Sequence, residues 1–119
     1  MGLLSEGNRL WHVTVTVAGD QMEPLIVRQA LSRLAAQRPF LHSLKFARER
    51  AEIRYWEEAE CLLDAASLAL RVWNEHRESA GLPRWEVVGL EVLERPVFLS
   101  RDTDYHVIAA MRDVTPLPF

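Results

Sequence analysis

The chain has 119 residues, 14 Lys+Arg against 17 Asp+Glu and a formal charge of −3, a length that fits one domain and leaves no room for two ordinary ones. With 49% hydrophobic and 26% charged residues, the composition is that of a soluble globular protein and disfavours a disordered, collagen-like or membrane-spanning chain. The acidic balance also lacks the broad positive footprint of a non-specific nucleic-acid binder.

Residues Arg9 to Ala18 alternate, with Trp11, Val13, Val15 and Val17 on one side and His12, Thr14 and Thr16 on the other, the pattern of a half-buried strand. After Gly19, Asp20 stands three residues before Glu23 in a capping-box-like arrangement, and Pro24 suits the first turn of a helix. Val27, Ala30, Leu31 and Leu34 recur at helical spacing up to Arg38, where Pro39 stops the run.

Phe40 to Phe46 and Ala51 to Trp56 read as two strands joined by the polar segment Ala47-Arg48-Glu49-Arg50, which lacks the Asn-Gly of a two-residue turn and predicts a four-residue loop. A hairpin register that sets Lys45 against Glu52, Ser43 against Arg54 and Leu41 against Trp56 puts an ion pair outside. The other face then pairs Phe46 with Ala51, Leu44 with Ile53 and His42 with Tyr55, so that His42 reads as a hydrogen-bonded core histidine.

Glu57 to Ala80 is a predicted long helix, with Glu57, Glu58 and Glu60 near its positive end, Arg77 in the last turn and Gly81 and Pro83 beyond. Asp64, Ser67, Arg71, Asn74 and Glu78 form a narrow polar stripe, which leaves an apolar arc wider than one sheet face covers. Cys61, close to the helix start, is expected to pack as a small apolar group, and His76 lies near the favourable negative end. Arg84 to Glu94 is a fourth strand, with Val88, Leu90 and Val92 facing inwards and Trp85, Val87, Gly89 and Glu91 facing out; Gly89 marks a candidate bulge. Beyond it the pattern breaks, and Tyr105 to Met111 is compatible with a helix or a strand.

This order predicts an α+β, ferredoxin-like βαββαβ two-layer sandwich. A four-stranded antiparallel sheet in the order 4-1-3-2 would carry two helices on one face. Residues 1–94 would form the domain, and residues 95–119 a C-terminal extension docked on it or on a partner subunit. The assigned core is Trp11, Val13, Val15, Val17, Phe40, Leu44, Phe46, Ile53, Tyr55, Val88, Leu90 and Val92.

The second sheet face then gathers His12, Thr14, Thr16, Glu52, Arg54, Trp56, Trp85 and Glu91. A histidine beside a carboxylate can act as a base, an arginine can hold an anion, and a tryptophan can wall a pocket. His12, Thr14, Arg54, Trp56 and Trp85 are therefore the candidate ligand-binding residues, and His12 the candidate catalytic one. The commoner meaning of such a face is a solvated or dimer-forming surface. Asp102, Asp104 and His106 alternate as D-x-D-x-H, a spacing permissive for a metal but more often found in a polar loop, so no metal is assigned.

No phosphate-binding loop, dinucleotide fingerprint, nucleophile elbow or zinc-protease motif occurs, and no cofactor is expected. The fold resembles that of RNA-recognition motifs, yet their aromatic signature is absent. In element order from Arg9 to Glu94, the chain resembles the dimeric α/β-barrel group, whose ferredoxin-like subunits pack sheet to sheet. That group includes cofactor-independent monooxygenases, which implies an enzyme using the open face around His12 as one alternative. The leading expectation is a non-enzymatic, self-associating binding module for a small ligand or a protein, a homodimer formed through the second sheet face with Trp56 and Trp85, the wide apolar arc or the C-terminal extension. The lone Cys61 and the absence of a secretory pattern in Met1 to Leu10 lead us to expect a cytoplasmic protein without nucleic-acid or membrane partners.

Overall fold

The computed structural model describes residues 8–101 and 114–119. Five strands and three helices follow in the order β1 (Arg9–Ala18), α1 (Pro24–Gln37), β2 (Leu41–Phe46), β3 (Arg50–Ala59), α2 (Leu62–Ala80), β4 (Glu86–Glu94), α3 (Arg95–Arg101) and β5 (Leu117–Pro118). They form one mixed sheet in the order β4-β1-β3-β2-β5.

The four-stranded, wholly antiparallel sheet expected from the sequence is thus corrected to five strands. β5 pairs parallel with β2 through Lys45–Leu117 and Phe46–Pro118, and the Phe119 amide donates to the Phe46 carbonyl. Such a pairing joins segments far apart in the chain and has no local signature in two residues.

β1 is central because its alternation lets Val13, Val15 and Val17 bury completely while it pairs with β3 and β4. α1 adds Val27, Ala30, Leu31 and Leu34 to this core, and α2 adds Ala69, Val72 and Trp73. The polar stripe Asp64, Ser67, Arg71, Asn74 and Glu78 is exposed, and so are Leu62, Leu63 and Leu70 of the wide arc. Among the described residues no helix is long and apolar enough to cross a membrane.

Helix boundaries differ from expectation for local reasons. α1 starts at Pro24 with Glu23 as a cap that makes no side-chain bond, so the Asp20–Glu23 capping box does not form. The Asp20 carbonyl accepts the Trp85 indole instead. α2 starts at Leu62 rather than Glu57, because β3 continues to Ala59 along β1. Glu57 and Glu58 therefore lie on a strand, and Cys61 is an exposed N-cap rather than an apolar packing group. Gly81, at φ 70°, ends α2 in the left-handed conformation that glycine adopts without penalty.

Two bulges change which side chains reach which face. β2 keeps the expected Lys45–Glu52, Ser43–Arg54, Leu44–Ile53 and Phe46–Ala51 pairs, but its register shifts between Leu41 and Ser43 and sets Leu41 opposite Tyr55. Leu41 therefore packs on the core, and His42 is released to the other face. The preceding Phe40 adopts φ 63° and is 69% exposed, so it is not a core residue. In β4 the register shifts where Thr16 pairs with Gly89 and Val17 with Val87, leaving Val88 as the extra residue, 62% exposed.

A one-residue insertion inverts the facing of everything on its far side. Val92 still packs on the core opposite Val13, but Leu90, although opposite Val15, is 38% exposed and is not the core residue expected, whereas Val87 and Trp85 turn into the core. Trp85, expected on the second face, is 4% exposed and stacks on Trp73 at 6.1 Å between ring centroids.

Candidate functional site

The face of the sheet opposite α1 and α2 is not open. α3 crosses it and inserts Phe98, its one buried side chain, against His12. The two rings lie 3.8 Å apart between centroids and 19° from parallel. Trp56, opposite His12 in the β1–β3 register, meets both rings edge-on, at 5.0 Å from His12 and 5.2 Å from Phe98.

His42, displaced by its bulge, completes the group. Its Nδ1 is 2.8 Å from His12 Nε2, and its ring stands perpendicular to Phe98 at 5.8 Å. The Arg54 guanidinium carbon lies 5.9 Å from the Phe98 ring, and Thr14, half-buried, pairs with Arg54 across the strands.

Of the residues singled out from the sequence, His12, Thr14, Arg54 and Trp56 share this face, and Trp85 does not. His42 and Phe98 were not among them. The signal for His42 was a conflict, since an unbroken register buried an imidazole opposite Tyr55 among apolar side chains. Local choices that oppose the global pattern mark a departure from it. Phe98 stood in an apolar triplet after Pro96, with nothing local to say which face it would reach.

His12 is 1% exposed, and burial, followed by the charge of Arg54 and the proximity of His42, lowers its pKa from 6.5 to about 3. It is thus neutral at physiological pH, and one of the two imidazoles donates to the other. In one tautomer His12 Nε2–H donates to His42 Nδ1; in the other the direction reverses. Either way His12 Nδ1 is buried without a hydrogen-bond partner. An orphaned polar atom in an aromatic setting costs about 1–3 kcal/mol and is the type of group that a ligand can satisfy.

On the core side, Tyr55 is fully buried with its hydroxyl unpartnered, and burial pushes its pKa up, against the pull of Arg38. The Arg38 guanidinium lies over the Tyr55 ring at 4.5 Å and bonds the Glu57 carboxylate at 2.9 Å, whose pKa burial nonetheless raises.

A separate surface cleft of about 300 Å³ at the start of α2 is lined by Asn8, Glu58, Glu60, Asp64, Ser67 and Arg71 among others. Among the described residues no group of three or more His, Cys, Asp or Glu could hold a metal ion. Asp102, Asp104 and His106 lie outside the described residues, as does the segment Tyr105 to Met111.

Comparisons with known proteins add a family without an activity. No curated protein matches the chain. Among solved structures, an acylphosphatase from Coxiella burnetii is similar over 100% of both chains at 13% identity, with a TM-score of 0.39, and so distant a likeness transfers neither an activity nor a site. A family model matches residues 10–108, which run from the second residue of β1 through α3 and include every residue of the aromatic and histidine cluster. By that match the chain belongs to the family described as a domain of unknown function (DUF8830).

Proposed function

We propose that this chain is a non-enzymatic binding domain of the ferredoxin-like type, which encloses a small molecule between α3 and the sheet, around His12 and His42. The observation that carries the reading is His12 Nδ1, buried beneath Phe98 with no partner. A site with a few convergent polar groups in an apolar, aromatic setting is the usual form of a ligand pocket. The βαββαβ succession and the placement of β1 between β3 and β4 support the ferredoxin-like assignment.

The competing reading is a cofactor-independent enzyme, with His12 as base, Arg54 as anion clamp and Trp56 as pocket wall. It is weaker because a general base works best with a pKa near the operating pH, whereas His12 is held near 3. Such an imidazole is a poor proton acceptor and a serviceable hydrogen-bonding group.

Self-association is part of the proposal, on the wide apolar arc of α2 and not on Trp85. Trp85 is internal, so the surface that needs covering is aliphatic: Leu62, Leu63 and Leu70 on α2, and Val88 and Leu90 on β4. A symmetric dimer is the commonest way to cover such a surface, and light scattering over a dilution series tests it; a monomer at all concentrations removes the dimer from the proposal. The single, exposed Cys61 suits a reducing cytoplasmic setting.

A thermal-shift screen of small polar and aromatic fragments, run on the wild type and on His12→Phe, tests the binding site. Phenylalanine keeps a planar ring against Phe98 and removes both ring nitrogens. Fragments that stabilise the wild type are expected to lose their effect in the variant, since a ligand stabilises only in proportion to its occupancy of the folded state. A screen in which every fragment shifts both proteins alike rejects the site.

A further inference from the structure

We propose that two copies of this chain pair their β4 strands antiparallel about a two-fold axis at Leu90, which joins the two five-stranded sheets into one and packs α2 against α2. This rests on the self-association proposed above and gives it a surface and a register.

β4 ends the sheet, with β1 on one side and no strand on the other among the described residues. At the opposite edge, β5 covers Lys45 and Phe46 of β2. An edge strand offers a row of unpaired backbone groups, which proline or lysine commonly guards. The nine residues of β4 include neither. Its bulge at Val88 lies towards one end and leaves Gly89 to Glu94 regularly paired with β1.

Apolar side chains border this edge in both layers. Val88, Leu90 and Val92 alternate on the side of α2, with Leu90 and Val92 opposite Val15 and Val13. On α2, Leu63 and Leu70 are exposed and stand about two turns apart, so they share one line of the helix. Ser79, about two and a half turns beyond Leu70, donates to Gln37 of α1. The leucine line is therefore on the flank away from α1, above the free edge of β4, on which α2 rests. Strands pair about 4.8 Å apart and a helix is about 10 Å wide, so pairing at β4 brings the two leucine lines together.

Charge chooses the register. Directly opposed side chains share a face of an antiparallel sheet, and a two-fold axis normal to the sheet keeps each face, so one residue opposes its own copy. Val88 lies in the bulge itself. Glu91 at the axis sets a carboxylate against itself, and Val92 there sets Glu94 against Leu90. Gly89 at the axis, once the extra residue is counted, sets Glu91 against Glu86. With Leu90 at the axis, Leu90 meets Leu90 and Val88 meets Val92, while Glu91 faces Gly89 and Glu86 faces Leu93. No acid then opposes an acid, an arrangement that would be destabilising. A strip that complements itself in this way fits a second copy of the chain.

The test is a disulfide scan in a Cys61→Ser background, oxidised with diamide and read on non-reducing gels. Leu90→Cys is expected to link into a covalent dimer, because residues opposed at the axis have Cα atoms about 4.5–5.5 Å apart, within the span of a disulfide. Val88→Cys is expected not to link, since its two copies stand about 13 Å apart along the ladder. Both side chains are exposed, so neither change removes a core group. In the wild type, amide exchange in β4 is expected to slow as the concentration rises. Leu70→Glu is expected to weaken the dimer by about tenfold or more in sedimentation over a dilution series, and Leu25→Glu, exposed on α1, to leave it unchanged.

No preference of Leu90→Cys over Val88→Cys overturns the proposal, as does β4 exchange that ignores concentration or a dimer that Leu70→Glu and Leu25→Glu affect alike. If light scattering still shows a dimer in that case, self-association stands on another surface. If it shows a monomer at every concentration, both fall.

Discussion

His12 and His42 come from strands that do not touch, β1 and β2, on either side of β3, yet their ring nitrogens lie 2.8 Å apart. Side chains two strands apart in a sheet are about 9–10 Å from each other at the backbone. Two rings that lean across the intervening strand close that gap, and the bulge that turns His42 out of the core makes it possible. The pair is therefore a product of the register shift in β2, and it depends on that shift being kept.

The first consequence is a pH dependence. His12 binds its proton less readily when folded, with a pKa of about 3 against 6.5, so the unfolded chain takes up more protons between those values. Stability is then fully present above pH 6.5 and is lost as the pH falls towards 3. The slope approaches about 1.4 kcal/mol per pH unit for one proton. Between pH 6.5 and 5 few carboxylates titrate, apart from Glu57, whose raised pKa acts in the opposite sense just above its usual range. Comparison with His12→Phe cancels that contribution. Urea denaturation at half-unit steps is expected to give a flatter pH profile in the variant, and parallel profiles would show that His12 is not held neutral by the fold.

Gly19 sets a second expectation. A methyl group there would run into the Trp85 ring, which is fixed by its stack on Trp73 and by its bond to the Asp20 carbonyl at 2.8 Å. Gly19→Ala is expected to cost about 1–3 kcal/mol, the usual penalty for overpacking against a group with no room to yield. Chemical denaturation measures it, and a change below about 0.5 kcal/mol, the scale of an ordinary surface substitution, would mean that the indole is free to move.

Tyr55 is expected to behave in the opposite way. Its hydroxyl is buried without a partner among the described residues, so Tyr55→Phe removes an unmet polar group while keeping the ring beneath Arg38. The variant is expected to be equal to or more stable than the wild type, by up to about 1 kcal/mol. A loss of 1 kcal/mol or more would reveal a hydrogen bond to that oxygen.

The bulge in β4 can be tested by removing it. Deletion of Val88 restores an unbroken alternation, in which the residues before it change face and Trp85 leaves the core. The loss of a buried indole costs about 3–5 kcal/mol, and tryptophan emission is expected to shift to the red. A deletion variant with wild-type emission and stability would show that the register of β4 is set elsewhere.

Much of the local structure was legible without coordinates, because period-two alternation assigns faces wherever a strand runs without insertion. The β1 pattern and the Lys45–Glu52, Ser43–Arg54 and Leu44–Ile53 pairs follow from that rule and recur in the structure. The helix stop at Arg38 and the glycine cap at Gly81 were equally local, since the chemistry of proline and glycine acts on the nearest few dihedrals. What failed was facing at and beyond a bulge: His42 is itself the extra residue of β2, Leu41, Trp85 and Val87 lie past one, and each was placed on the wrong side.

By itself, then, the sequence determined the succession of elements, the apolar face of each uninterrupted run and the polar residues available on the other. The tertiary structure decided where β2 and β4 slip, that β5 joins the sheet, and that Phe98 closes over His12. The physical reason is one of range. Alternation and capping are energies of neighbours along the chain, whereas a bulge persists only if packing across strands gains more than the lost ladder hydrogen bond. Trp85 stacked on Trp73, and Leu41 turned inward at the expense of His42, are gains that exist only once the sheet is assembled.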